Sequence, residues 1–169
     1  MLRALLRRQL DSAEQKLGAP VDYLRFVAEH DPVAAVKFGL LQPATAHRKT
    51  LPAEVYHAAR IAATQTADCG TCVQIEVNAA REAGVSAEAV RAVLAGTASG
   101  EAVQDAIAFA RQTARHEDPG EDLRERIVAR YGERGLVEVS LAVTTALAYP
   151  TMKRALGFAT ACSLVEVEV

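Results

Sequence analysis

Apolar positions recur at three- and four-residue spacing along almost the whole chain, and helix start and stop residues punctuate the pattern. Leu2, Leu5, Leu6, Leu10, Ala13 and Leu17 mark one face of a first amphipathic helix, ended by Gly18-Ala19-Pro20. A second helix is predicted from Asp22 to His30. Asp31-Pro32, an N-cap followed by proline at the first helical position, opens a third over Pro32 to Leu41. Gln42 to Leu51 reads as a connector. Pro52 starts a helix that continues to about Gln65, and another follows directly, from Asp68 as N-cap to Gly84 as stop. Ser86 caps Ala87 to Ala95. Glu101 to Arg115 is amphipathic, with Val103, Ala106, Ile107 and Ala110 inward. After Asp118-Pro119-Gly120 come Glu121 to Tyr131 and Leu136 to Ala148, separated by Gly132 and Gly135, and Pro150 starts or kinks the last helix. The tail, Leu164 to Val169, alternates like a strand with nothing to pair with, and so reads as an extended arm or frayed end. The prediction is an all-α single domain of about eight helices: accessory helices over 1–50, a core over 51–158 and a tail over 159–169.

Composition narrows the function classes. The 169 residues are 50% hydrophobic, enough for one core. Alanine makes up roughly a fifth of them, which suits closely packed helices. A net charge of −2 offers no basic field for phosphates, so nucleic acid is an unexpected partner. No uninterrupted apolar run reaches the ~18–20 residues that span a bilayer. Charge also breaks any signal-peptide core in Met1-Leu2-Arg3-Ala4-Leu5-Leu6-Arg7-Arg8, so a cytoplasmic protein without a membrane partner is expected. Three cysteines do not build a secreted disulfide framework. The apolar faces exceed what one small bundle needs; Val137, Leu141, Val143 and Leu147 cover much of one helix's circumference, which predicts a homo-oligomer.

The chemistry concentrates in Cys69-Gly70-Thr71-Cys72, followed four residues later by Glu76. At ~100° per residue, both sulfurs fall within roughly 40° of Glu76 about the helix axis. Gln74, Asn78 and Arg81 form the polar stripe on the other side, so Glu76 belongs to the buried face with Cys69, Cys72, Ala80 and Ala83. A buried carboxylate requires a partner. His57, midway along the preceding helix, is the nearest candidate donor in the sequence, and a His–Glu couple beside a dithiol can take and return protons near neutral pH. Arg60 reads as solvent-facing in preference to holding the thiolate. The helix N-terminus favours a thiolate in the motif. A zinc site would need two more ligands; His57, Cys162, His30, His47 and His116 form neither a second CxxC nor an HxxxH pair. Cys162 reads as a buried bystander.

The spacing resembles the AhpD-like alkylhydroperoxidases of the carboxymuconolactone decarboxylase superfamily. That family carries Glu, eleven residues, Cys-x-x-Cys, three residues and His. Here the spacing is His57, eleven residues, Cys69 to Cys72, three residues and Glu76, with the two relay residues exchanged. Leu51 to Val55, Ala79 to Ser86 and Leu136 to Phe158 also resemble the family. The resemblance implies an all-helical fold assembling as trimers or hexamers. It implies thiol peroxidase or disulfide-reductase chemistry with no cofactor and no metal, in which Cys72 attacks the hydroperoxide, Cys69 resolves, and a thiol or dithiol, possibly on a partner redox protein, is the reductant. The alternative function is a non-catalytic helical oligomer that senses redox state or binds a small ligand.

Overall fold

The computed structural model describes residues 2–67, 70–159 and 165–167, and these are helical throughout apart from turns and the short tail segment. The elements are α1 (Leu2–Leu17), α2 (Asp22–His30), α3 (Pro32–Gly39), α4 (Gln42–Thr45), α5 (Ala53–Thr66), α6 (Gly70–Glu82), α7 (Ala87–Ala95), α8 (Glu101–Ala114) and α9 (Glu121–Ala155). Asp68, Cys69 and Cys162 lie outside the described residues, so the predicted cap, the first motif cysteine and the predicted bystander are not placed.

The start and stop signals act as their chemistry dictates. The Asp31 carboxylate accepts the backbone N–H groups of Val33 and Ala34, at 3.1 and 2.9 Å, with Pro32 just inside the helix. Ser86 accepts the Ala89 N–H. Gly84, at φ +85°, ends α6 and lets the Val85 N–H reach the Ala80 carbonyl.

Gly132 separates two helices within α9 as expected: its φ of 70° and ψ of 177° are non-helical and set a kink, and the second helix continues through Pro150 to Ala155. Two expectations need correction. The connector after Leu41 contains the short helix α4. The apolar stripe of α1 is only partly covered, with Leu6 buried and Leu2 and Leu5 exposed.

The fold is organised around α5, which packs on α6, α7, α8 and α9. Its sequence, Ala-Glu-Val-Tyr-His-Ala-Ala-Arg-Ile-Ala-Ala-Thr-Gln-Thr, is rich in small residues that let several helices pack on it, and its polar residues Glu54, His57, Arg60 and Thr64 share one side. Every residue from Val55 to Thr64 is buried. Alanines at 58, 59, 62 and 63 let the neighbouring helices approach closely, and Ile61, Val77, Val90, Ala110 and Val143 complete the core around them. The apolar face of α9, long enough to cross a bilayer, is packed inward through Val139, Ala142, Val143 and Ala146. Glu138, 2% exposed, faces inward from the same helix and accepts the N–H groups of Lys49, Thr50 and Leu51 at 2.8 to 2.9 Å, which fixes the turn leading into α5.

Candidate active site

The inward face of α6 carries Cys72, Glu76 and Ala80, all buried; Ala83, expected on that face, is exposed at the helix end. Cys72 and Glu76 are one turn apart and share a face. The polar stripe on the other side is also as predicted, and it serves as a docking surface. Gln74 bonds to Asn78, Asn78 to the Leu17 carbonyl at the end of α1, and Arg81 to the Val85 carbonyl.

The partner of Glu76 is Arg60. The guanidinium donates from Nε to one carboxylate oxygen and from Nη2 to the other, both at 2.7 Å. Arg60 is 2% exposed and Glu76 5% exposed. The expectation of a solvent-facing Arg60 is therefore corrected, and so is the expectation that His57 is the donor to Glu76. A planar, permanently charged fork matches both carboxylate oxygens at once, which one imidazole nitrogen cannot. Arg60 Nη1 is held in turn by the Ala142 carbonyl at 3.1 Å and by Thr145 Oγ1 at 2.9 Å, both on α9. Burial works to lower the Arg60 pKa, but the charge and hydrogen bonds of Glu76 outweigh it and raise the pKa above the ordinary arginine value. The guanidinium also lies over the Tyr56 ring, 5.7 Å from its centre.

His57 stands on α5 one turn before Arg60 and is buried beside the pair. Its Nδ1 has no hydrogen-bond partner among protein atoms. Burial pushes its pKa down to about 4; the Glu76 carboxylate pulls upward, while the Arg60 and Arg48 cations push further down. The imidazole is neutral at neutral pH, a base with an unused nitrogen. A protonated His57 between carboxylate and thiolate is not the resting state.

The geometry thus ties two faces together. The His57–Arg60 face of α5 is clamped to the Cys72–Glu76 face of α6 through the Arg60–Glu76 fork. Among the described residues, no group of three or more His, Cys, Asp or Glu side chains is placed to hold a metal ion. Arg60 and Thr145 are the residues that sequence reasoning missed. The available signal for Arg60 was its place one turn after His57 on the same side of α5. Thr145 carried no comparable signal.

The model of the carboxymuconolactone decarboxylase family matches residues 33–114, the stretch from α3 to α8 that contains both clamped faces. This segment is similar to that family. The fold is also similar to that of the debrominase Bmp8, solved as a cysteine-to-alanine variant in complex with 2,3,4-tribromopyrrole. The match has a TM-score of 0.76 at 20% identity and covers 97% of this chain and 86% of that one. Among curated proteins, no match was found.

Proposed function

We propose that the chain is a thiol-dependent oxidoreductase of the AhpD-like branch, acting on hydroperoxides. The observation that carries the reading is the buried Arg60–Glu76 fork, which locks a neutral histidine on one helix to the face of the next helix that carries Cys72. Similarity to the family over residues 33–114 and the sequence motif that includes Cys72 support it.

The Cys72 thiolate attacks the peroxide oxygen, breaking the O–O bond; the sulfur becomes sulfenic acid, and the leaving alkoxide takes a proton and departs as alcohol. The Cys69 thiol displaces water from the sulfenic acid, forming the Cys69–Cys72 disulfide. A dithiol reductant, free or on a partner protein, returns both thiols and is itself oxidised to a disulfide. His57 is the proton carrier in this scheme. Glu76 has both oxygens engaged by Arg60; its role is to raise the basicity of His57, while Arg60 cancels the repulsion that a lone carboxylate would exert on a thiolate one turn away. A homo-oligomer belongs to the same proposal, with exposed Val33, Val36, Leu40 and Val137 as apolar surface for a second copy.

The test is steady-state consumption of organic hydroperoxide and of hydrogen peroxide with a dithiol reductant, comparing wild type with Cys72→Ser. Turnover by wild type that falls to background in Cys72→Ser supports the reading. Turnover of 2,3,4-tribromopyrrole without peroxide turnover would overturn the substrate assignment. Equal rates for the two proteins would overturn the role of Cys72.

A further inference from the structure

The polar stripe of α6 leads to a feature that the chemistry above does not use. Residues 165–167 lie along α6 and α7, and residue 166 is gripped by its backbone. The Gln74 carboxamide donates to the Glu166 carbonyl at 2.8 Å and accepts the Glu166 N–H at 2.7 Å. Arg91, on α7, donates to the Val167 carbonyl at 3.1 Å. Val165 and Val167 pack against the core, while the Glu166 side chain is exposed. The pairing reproduces what a neighbouring strand would offer, with one glutamine side chain in place of the strand. Gln74 and Thr71 also line a cleft of about 650 Å³ with Lys16, Asn78 and Glu166.

We infer that residues 165–167 form a strap that joins α6 to α7 and thereby sets how often Cys72 becomes accessible. Cys72 is 5% exposed, so a reagent of any size reaches its sulfur only when the start of α6 opens locally. Gln74 lies on the face of α6 away from that sulfur. The strap therefore does not plug the site; it holds the helix that carries the cysteine. Releasing it raises the open fraction without removing any group from the Arg60–Glu76 clamp. The inference deepens the thiol reading of the same site, and its test follows the thiol directly, independent of any substrate.

The experiment measures alkylation of Cys72 by a bulky maleimide in the full chain, with the modified residue identified by mass mapping. Glu166→Pro removes the N–H that Gln74 accepts, and Gln74→Leu removes the grip from the other side. Glu166→Ala keeps every backbone bond and serves as control. At about 1 kcal/mol net per hydrogen bond, loss of one in Glu166→Pro predicts a rise in rate of about fivefold, and loss of two in Gln74→Leu about tenfold or more. Glu166→Ala should react like wild type. Gly135→Ala, which drives a methyl group into Tyr131 within α9, lowers global stability far from the strap and should give a smaller rise at equal loss of stability. A Glu166→Pro rate equal to that of wild type or of Glu166→Ala would overturn the strap, as would a rise in Gly135→Ala matching it at equal stability. Loss of peroxide turnover alone would bear on the substrate and leave this result standing.

Discussion

Replacing Arg60 by methionine keeps most of the side-chain volume and removes the charge. Glu76 is then left 5% exposed with both oxygens deprived of their 2.7 Å donors. Breaking a buried pair by deleting one partner costs about 3–5 kcal/mol, because the remaining charge has neither water nor counter-ion. The penalty of Arg60→Met should therefore lie near about 3–5 kcal/mol at pH 7. Glu76→Gln leaves the guanidinium buried without its counter-charge, and its cost should be of similar size. The double variant Arg60→Met with Glu76→Leu removes both charges and should fall within about 2 kcal/mol of wild type. Urea denaturation of all four proteins at pH 7 reads the cycle. Single-variant losses under 1 kcal/mol, or a double variant whose loss equals their sum, would refute a tightly coupled, dry pair.

Two other outcomes follow from the buried titratable groups. His57 has a native pKa of about 4 against 6.5 when unfolded, so below pH 6.5 the unfolded chain binds a proton that the native chain refuses, and stability drains away towards pH 4 by about 3 kcal/mol in total. The stability difference between wild type and His57→Phe, measured by urea midpoints at pH 7 and pH 4.5, should move by most of that amount in the variant's favour; an unchanged difference would contradict a buried neutral imidazole. For Glu138, burial acts to raise the pKa, but the N–H groups of Leu51, Lys49 and Thr50 outweigh it and hold the carboxyl below its ordinary 4.5, so its contribution is present above that pH and is lost on acidification through the lower native value. Glu138→Gln should cost about 2–3 kcal/mol at pH 7, read by thermal or urea unfolding, because one amide cannot satisfy three donors.

The sequence by itself determined the local structure and the face on which each motif residue lies. Helical periodicity, Asp31-Pro32, Ser86 and Gly84 are short-range signals, and they act within one turn wherever the chain goes. The burial of Glu76 beside Cys72 was legible for the same reason: 3.6-residue geometry puts positions four apart on one face, and Gln74, Asn78 and Arg81 had already claimed the wet side. Gly132 was legible as the break between two helices, since a positive φ is a local property that glycine adopts freely. The partner of Glu76 was decided only by the tertiary structure. His57 and Arg60 are both on the preceding helix, one turn apart, and which of them meets the carboxylate depends on how α5 and α6 cross and on α9 supplying the Ala142 carbonyl and Thr145 from more than eighty residues away. The tail was equally undetermined. Its alternation predicted an extended segment with nothing to pair with, and a single glutamine side chain on α6, brought alongside by the folding of the rest of the chain, supplies both hydrogen bonds that a strand would have given.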